Sequence, residues 1–367
     1  MNNTVNFEHG GNIYKALRQS GAGQDDFLDF SANINPLGLA GNVREAVIRS
    51  LEDVIHYPDA EAHDLKLAIA DFYRLNYDAI TVGNGAVELI YVLCHMLKPE
   101  RVLIPVPAFS EYERAAAAAG AKVDYYFLAE ANGFELRPDG IIPMLKGIDI
   151  VFIGNPNNPT GTLLTRQELE ELIEAANRVG CLVVIDESFI EFLPDDGEYT
   201  CRPLLKHYAN LVIIHSLTKF YAIPGLRLGF ALTPPELANR LNAGKDPWNV
   251  NTLAQAAGVA AFQNAEYRSK TKAVVQQARQ ELFSSLAGID KIKPYQPTVN
   301  FVLIKLTAAR ITAGELQRRL FVRRILVRDC SNYPGLSPVY LRLAVKLPEQ
   351  NLRLLNALQE FLTGGDR

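Results

Sequence analysis

The 367-residue chain lacks the features that mark metal-binding, secreted and membrane proteins. Its four cysteines, Cys94, Cys181, Cys201 and Cys330, lie far apart and form neither a CxxC nor a CxxH spacing. We therefore expect reduced thiols, and neither a metal site nor a dithiol redox pair. No uninterrupted apolar run approaches the ~18 residues that span a bilayer, and the N-terminus has no basic region followed by an apolar one. These absences predict a cytoplasmic protein without a membrane segment.

Neither sign of charge is in large excess. The chain has 37 Lys and Arg against 41 Asp and Glu, a formal net charge of -4, and its basic residues are spread along the sequence. Binding to a phosphate backbone needs a concentrated positive field, so we expect no nucleic-acid partner. Apolar residues make up 48% and charged residues 21% of the chain. This composition is typical of a globular protein, and the length allows about two domains.

Between about residues 80 and 235, short apolar runs alternate with helical patterns. The runs are RVLIPV (101–106), KVDYYFL (122–128), DIVFIG (149–154), CLVVID (181–186), NLVIIHS (210–216) and RLGFAL (227–232). This alternation predicts a large α/β domain with a mostly parallel sheet. Between two of the runs, Thr165 with Glu168 three residues later predicts a capping box at the start of a helix.

After about residue 255 the pattern changes to long helices mixed with the strand-like runs VNFVLIKL, ILVRDC and YLRLAVK. We interpret this part as a smaller α+β domain. The first 35 residues have no apolar core of their own, and we expect them to dock onto it. The predicted division is therefore 36–255 for the large domain, and 1–35 with 256–367 for the small one.

Four loops carry chemically useful groups at the ends of predicted strands. Lys219 follows an apolar run in a Ser/Thr-rich turn, and Asp186 ends CLVVID. NPNNPTG (155–161) follows DIVFIG, and GNGAVE (83–88) leads into a helix whose first backbone amides suit a phosphate. Open α/β sheets bind ligands at the carboxyl ends of their strands. We therefore expect these groups to share one site.

This set of groups matches the needs of pyridoxal phosphate. The aldehyde of that cofactor requires an amine, its ring nitrogen a carboxylate, its phenolate oxygen a donor and its phosphate an anion site. Each of these groups alone is common in loops and turns, so only their joint occurrence in this order indicates the cofactor. We therefore expect pyridoxal 5'-phosphate as the cofactor.

The motifs NPNNPTG, IDESFIEF, SLTKFYAIPGLRLG and YLRLAV resemble those of the class I/II aminotransferase superfamily of fold-type I pyridoxal-phosphate enzymes. The resemblance covers nearly the whole chain. It implies two catalytic residues: Lys219, which bonds to the cofactor, and Asp186, which pairs with the pyridine nitrogen. One departure is Phe189, which stands where many relatives have a tyrosine that donates to the ring oxygen.

The resemblance also implies the remaining cofactor contacts. Asn158 would donate to the ring oxygen, and Phe109 would stack on the ring, with Tyr112 as a second candidate. Tyr57 would reach the phosphate from a second subunit, which implies a homodimer. The phosphate would be held within the chain by Gly85, Ala86, Ser216 and Arg227.

Four further stretches, HGGN (9–12), DFSANINPLG (29–38), YPD (57–59) and NYPGL (332–336), resemble one branch of this superfamily. Members of that branch decarboxylate O-phospho-L-threonine to (R)-1-aminopropan-2-yl phosphate and carbon dioxide, for the nucleotide loop of cobalamin. The related histidinol-phosphate aminotransferases usually carry Asn-Glu-Asn-Pro where this chain has Asn-Ile-Asn-Pro (33–36), and they lack HGGN. The resemblance therefore implies a decarboxylase.

The sequence also suggests how an anionic amino acid would bind. Arg328 and Arg342 lie in two strand-like runs fourteen positions apart, and guanidinium groups bind carboxylate or phosphate in a bidentate manner. Two of them suit a substrate with two anionic groups, although paired surface arginines are the alternative interpretation. We also expect His9 to contact the substrate phosphate, and Asn33 and Asn158 to contact the region of its carboxylate.

Two alternatives stay open at this point. An aminotransferase acting on histidinol phosphate or a related phosphorylated amino acid would share every cofactor residue. Carbon dioxide release without a keto acid, against strict dependence on 2-oxoglutarate, would separate the two activities. The second alternative is a pyridoxal-phosphate-binding sensor domain of a transcription regulator. Such proteins normally carry an N-terminal DNA-binding module, which neither the length nor the charge of this chain favours.

Overall fold

The computed structural model describes residues 10–21, 23, 26–308 and 311–363. We number its helices and strands in chain order. The strands are β1 (Leu28–Asp29), β2 (Ile80–Asn84), β3 (Arg101–Val106), β4 (Lys122–Phe127), β5 (Ile150–Gly154), β6 (Leu182–Asp186), β7 (Leu211–Ser216), β8 (Leu228–Leu232), β9 (Ile292–Pro294), β10 (Phe301–Leu306), β11 (Ile325–Leu326), β12 (Arg328–Asp329) and β13 (Tyr340–Ala344). The helices are α1 (Ile13–Ser20), α2 (Gly41–Arg49), α3 (His63–Tyr73), α4 (Ala86–Leu97), α5 (Ser110–Ala118), α6 (Pro138–Ile141), α7 (Arg166–Arg178), α8 (Leu217–Phe220), α9 (Pro235–Ala243), α10 (Thr252–Gln263), α11 (Ala265–Ala287), α12 (Ala313–Val322) and α13 (Pro348–Thr363).

The larger sheet has the strand order β2-β8-β7-β6-β5-β3-β4. Strand β8 is antiparallel to both of its neighbours, and the other pairs are parallel. Strands β5, β6 and β7 are adjacent, so their carboxyl ends meet at one edge. The predicted mostly parallel α/β sheet is therefore confirmed.

The central strands read as continuous apolar runs because both faces of the sheet are buried. In β6, Val183 and Ile185 pack into the cluster on one face, which includes residues of α3, α7 and α10. Val184 points the other way, into the cluster that includes residues of α4 and α5. Helix α7 begins with the predicted capping box between Thr165 and Glu168.

The smaller sheet is antiparallel, in the order β12-β13-β10-β9. Its core is shared with α11, α12 and α13. Strand β1 pairs in parallel with β11, and Phe30 is buried in the same core. Phe301 and Leu303 of β10 belong instead to the large core, so the two parts pack against each other. The division at residues 36 and 255 stays a prediction.

Neither a membrane-spanning helix nor a cluster of metal ligands occurs within residues 10–21, 23, 26–308 and 311–363. In those ranges no helix is both long and apolar enough to cross a membrane. The same ranges contain no group of three or more His, Cys, Asp and Glu residues arranged to hold a metal ion. The four cysteines are buried and form no disulfide.

Candidate active site

A cavity of about 470 Å³ lies at the carboxyl ends of β5, β6 and β7, between the large sheet and the strands β12 and β13. Most of the residues predicted to form a site line this one cavity. They are Asn33, Ala86, Phe109, Asn158, Asp186, Ser216, Lys219, Arg227, Arg328 and Arg342.

Lys219 lies in the short helix α8, directly after β7. Burial lowers the pKa of its amine to about 8, with further contributions from the positive charges of Arg342 and Arg227. The backbone carbonyl of Lys219 accepts a hydrogen bond from the backbone N–H of Asn35 at 3.0 Å, which ties this turn to the N-terminal segment. An amine with a lowered pKa is a better nucleophile near neutral pH, because more of it is unprotonated.

Asp186 is the last residue of β6, and its side chain is held at both oxygens. Oδ2 accepts from the Tyr112 hydroxyl at 2.7 Å, and Oδ1 accepts from the backbone N–H of Ser188 at 2.9 Å. Two donors directed at one carboxyl group restrict its orientation. A carboxylate facing the cavity is what a protonated pyridine nitrogen requires.

The turn before α4 lies beside the guanidinium of Arg227, and the backbone N–H of Gly85 in this turn already donates to the carbonyl of Gly83 at 2.8 Å. Gly85 has φ +80°, and a Cβ there would lie 2.4 Å from the guanidinium of Arg227. Only glycine therefore permits this close approach of the arginine to the turn. The backbone N–H of Ala86 is at the first residue of the helix, where the helix dipole favours an anion. Ser216 borders the cavity, with its hydroxyl 2.8 Å from that of Thr218.

The loop 155–161 is held in shape by the side chains of its asparagines. The amide of Asn155 bonds to both backbone groups of Leu164, at 2.8 and 3.1 Å. The side-chain oxygen of Asn158 accepts from Arg342 Nη1 at 2.5 Å. Because a guanidinium can only donate, this bond identifies the oxygen side of the amide, and the NH₂ group is left to donate elsewhere.

The two predicted arginines lie directly opposite each other on neighbouring strands, with Arg328 of β12 paired to Arg342 of β13. Each is 6% exposed. Arg342 Nη2 donates to the carbonyl of Ser31 at 2.8 Å, whereas its Nε has no hydrogen-bond partner in the part of the chain that the structure describes. Burial lowers the pKa of Arg342. Among the described residues neither guanidinium forms an ion pair with a carboxylate. Paired buried cations without a counter-charge suit an anionic ligand.

The remaining predicted residues differ in their placement. Phe109 borders the cavity, whereas the ring of Tyr112 stacks on Phe152 with the centroids 5.2 Å apart. Tyr57 is 78% exposed and stacks on Trp248, away from the cavity of its own chain. His9 lies outside the described residues. The N-terminal contact that we predicted for it therefore stays a prediction.

Sequence reasoning missed several residues of the site. Tyr112 was considered only for stacking, yet it bonds to Asp186. Ser31 holds Arg342 through its backbone, and Tyr333 lies under Arg328 with 5.1 Å between the guanidinium carbon and the ring centroid. Tyr333 belongs to the motif NYPGL, which provided a signal. A backbone contact such as that of Ser31 leaves no signal in the side-chain type.

The fold and the site define the class of the protein. The family model of aminotransferase class I and II matches residues 25–358. Since this match covers most of the chain, the protein belongs to that family. The predicted fold type and the predicted superfamily are confirmed.

Individual enzymes of this family resemble the chain over more than 90% of its length. The chain is 38% identical over 360 residues to the threonine-phosphate decarboxylase of Salmonella typhimurium, with 98% of each chain covered. The crystal structure of the histidinol-phosphate aminotransferase from Clostridium acetobutylicum matches with a TM-score of 0.86 at 32% identity, over 92% of this chain and 99% of that one. L-threonine-O-3-phosphate decarboxylase from Porphyromonas gingivalis matches with a TM-score of 0.81 at 28% identity, over 91% and 99%.

Enzymes of this family depend on pyridoxal phosphate, and the cavity fits that cofactor on three observations. The amine of Lys219 is enclosed and has a lowered pKa. The carboxylate of Asp186 is held by two donors and borders the cavity. The turn at Gly85 and Ala86 brings the first backbone amide of α4 and the guanidinium of Arg227 to the cavity, where both suit an anion. Amine, carboxylate and anion site therefore occur in one enclosure.

Proposed function

We propose that this protein is a pyridoxal-phosphate-dependent decarboxylase of O-phospho-L-threonine, which forms (R)-1-aminopropan-2-yl phosphate and carbon dioxide. The observation that carries the proposal is the pair of buried guanidinium groups, Arg328 and Arg342, in the same cavity as Lys219. A substrate with both a phosphate and a carboxylate would neutralise both cations. The named relative at 38% identity supports this reaction. A cytoplasmic role in supplying the nucleotide loop of cobalamin is part of the proposal.

We assign the cofactor contacts to residues of one edge of the cavity. Lys219 would bond to the aldehyde carbon, Asp186 would pair with the ring nitrogen, and Asn158 would donate to the ring oxygen through the NH₂ group that Arg342 leaves available. Phe109 would stack on the ring. The phosphate contacts would come from Gly85, Ala86, Ser216 and Arg227. When bound, pyridoxal phosphate supplies an electron sink for the pair that carbon dioxide leaves on Cα.

The substrate contacts lie at the other end of the cavity. Arg328 and Arg342 would bind the two anionic groups, with Asn33 beside them and His9 as a further donor to the phosphate. Asn33 lines the same cavity, and its NH₂ group is the part of its side chain that would donate to an anionic group. The phosphate does not react, so its binding energy is available to fix the pose of the carboxylate. We infer that this pose decides which bond at Cα breaks.

Lys219 is the residue to which we assign proton return to Cα. Its pKa of about 8 lets the amine gain and lose a proton near neutral pH. Lys219 would deliver the proton to Cα directly and would regain one from the solvent after each turnover.

A histidinol-phosphate aminotransferase is the second candidate, because the solved structure of one such enzyme matches this chain at 32% identity. The deciding experiment incubates the cofactor-loaded protein with O-phospho-L-threonine and identifies the products by mass. Carbon dioxide and aminopropyl phosphate without an amino acceptor would support decarboxylation. Stoichiometric consumption of 2-oxoglutarate with histidinol phosphate, and no gas from phosphothreonine, would support the aminotransferase.

We also propose that the protein is a homodimer in which Tyr57 reaches the cofactor phosphate of the partner subunit. The segment from α2 to Tyr57 exposes several apolar side chains: Ile48, Leu51, Val54, Ile55 and Tyr57. Exposed apolar clusters on soluble proteins mark interaction surfaces. Tyr57 does not line the cavity of its own chain, so a second chain is needed to bring it there. Light scattering on the purified protein measures the oligomeric state.

A further inference from the structure

Tyr112 connects a buried aromatic layer to the carboxylate of Asp186. Its hydroxyl donates to Asp186 Oδ2 at 2.7 Å, and its ring stacks on Phe152 with only 5° between the two planes. Burial, and then the negative charge of Asp186, raises the pKa of Tyr112 well above its ordinary value. The phenol therefore stays a protonated donor at every pH where the enzyme would work.

The other carboxylate oxygen is held independently. The backbone N–H of Ser188 donates to Asp186 Oδ1, and the backbone of Asp186 pairs with Gly154 in the sheet. One donor is thus a backbone amide, and the other is a phenol on a stacked ring. Neither can turn away easily, so the plane of the carboxylate is restricted to one orientation.

We infer that Tyr112 is a positioning residue, whose hydroxyl holds the Asp186 carboxylate in the orientation that receives the protonated ring nitrogen of the cofactor. The inference rests on the cofactor site proposed above, but not on which phosphorylated amino acid is the substrate. It assigns no contact between Tyr112 and the cofactor. Without the phenol, one carboxylate oxygen loses its donor and the group is freer to rotate. Hydrogen bonds weaken steeply with misalignment, so the contact with the ring nitrogen would weaken.

A purely structural role is the competing explanation, in which the phenol only satisfies a buried carboxylate. The chain offers a matched comparison for it. Tyr73 is another enclosed tyrosine whose hydroxyl donates to a carboxylate, that of Glu191, and burial also raises its pKa. Neither Tyr73 nor Glu191 lines the active-site cavity. The substitution Tyr73→Phe therefore removes the same kind of bond outside the site.

The test is a double-mutant cycle on cofactor binding. The dissociation constant of pyridoxal phosphate is measured by fluorescence for the parent protein, Tyr112→Phe, Asp186→Asn and the double variant. We expect Tyr112→Phe to weaken binding about tenfold, the size typical of a hydrogen bond to a charged group. In the Asp186→Asn background the same substitution should add nothing, because the tyrosine acts through the carboxylate. Turnover should fall in kcat, with little change in KM for the substrate.

Tyr73→Phe should lower the thermal unfolding temperature about as much as Tyr112→Phe, while its cofactor affinity stays within about twofold of the parent. Equal losses of affinity in the two tyrosine variants would show a general destabilisation and overturn the inference. It would equally be overturned by unchanged or tighter binding in Tyr112→Phe, or by additive losses in the double variant. Unchanged cofactor affinity in Asp186→Asn would instead contradict the role of Asp186 as the partner of the ring nitrogen. The positioning role of Tyr112 would then be overturned as well.

Discussion

The cofactor end and the substrate end of the active-site cavity differ in how their charges are satisfied. At the cofactor end, the Asp186 carboxylate accepts hydrogen bonds from two donors. Its negative charge and the positive charges of Arg227 and Arg342 all act on the amine of Lys219. At the substrate end, Arg328 and Arg342 face each other across two strands without a carboxylate partner among the described residues. The two ends therefore present different electrostatic environments within one cavity.

This difference matches the two kinds of ligand that we propose. A cofactor that stays bound can be held by groups that already have hydrogen-bond partners and fixed positions. A substrate that enters and leaves needs donors that are still available when it arrives. The Nε of Arg342, which has no hydrogen-bond partner among the described residues, is such a group. Leaving buried polar atoms unpaired costs free energy, which binding of an anionic substrate would recover.

The largest effect is expected at the cofactor end. Lys219→Ala should lower kcat at least about a thousandfold, because among the described residues no other lysine lines the cavity to bond the cofactor and return the proton. Carbon dioxide release measures turnover, and borohydride reduction followed by peptide mapping locates the bond to the cofactor. A reducible adduct at a different lysine would remove the assignment.

At the substrate end, Arg328→Gln should lower kcat/KM for phosphothreonine by roughly 1.5–3 kcal/mol, about tenfold to a few hundredfold, since a buried charge-assisted contact is lost. Pyridoxal-phosphate affinity should not change, which would separate the two ends experimentally. Arg319→Gln, on α12 and paired with Glu315 at the surface, is the control and should behave like the parent. Equal losses in the two variants would contradict the assignment of Arg328.

Arg342 tests whether the two ends are coupled. Its positive charge contributes to the low pKa of Lys219, and its Nη1 fixes the amide of Asn158. Arg342→Gln should therefore impair substrate binding and also raise the pKa of Lys219. The pH at which the free amine loses its proton, followed in the cofactor-free protein, checks this. An unchanged value would show that the two ends are independent.

Subunit mixing shows whether the cofactor end is complete within one chain. If Tyr57 acts on the partner subunit, each site combines Lys219 of one subunit with Tyr57 of the other. The Tyr57→Ala dimer then lacks the tyrosine at both sites, and the Lys219→Ala dimer lacks the lysine at both. Random reassociation should then restore roughly a quarter of the sites, because one site of each mixed dimer is intact. Mixed and unmixed samples are compared at equal total protein. No recovery after verified subunit exchange would place Tyr57 outside the partner's site.

The smallest effect concerns stability. The pKa of Lys219 is about 8 in the folded protein against an ordinary value of 10.5, so the unfolded chain binds more protons between these two values. Stability from this group therefore rises with pH across that window and is lowest below pH 8. In the cofactor-free protein at pH 7, Lys219→Met should raise the free energy of unfolding by roughly 1–3 kcal/mol. Urea denaturation at pH 7 and at pH 10 should show the gain shrinking; a constant difference would contradict the burial cost.

Much of the fold could be predicted from local pattern. The run RVLIPV coincides with β3, and the predicted strands that end at Gly154, Asp186 and Ser216 each begin one residue later in the structure. These strands are buried on both faces, so their apolar runs are uninterrupted and their ends are marked by the first polar residues. The capping box at Thr165 was also predictable, because both of its partners lie within one helical turn.

The geometry of the site was less predictable. Tyr112 and Asp186 are 74 positions apart, and Ser31 and Arg342 are 311 apart. No periodicity relates residues at such separations. Tyr112 was therefore considered as a stacking residue, although its ring packs on Phe152 and its hydroxyl holds the carboxylate.

The sequence by itself determined which segments form strands and helices, and which chemical groups stand at their ends. Lys219 and Asp186 could be singled out because Asp186 ends an apolar strand and Lys219 follows one within a few residues. Only the tertiary structure decided that Arg328 and Arg342 face each other, that the side-chain oxygen of Asn158 accepts from Arg342, and that Tyr112 bonds to Asp186. The physical reason is that strand and helix formation depends on the pattern of residues within short stretches of chain. The orientation of a side chain in a cavity is set by partners that folding brings from distant elements.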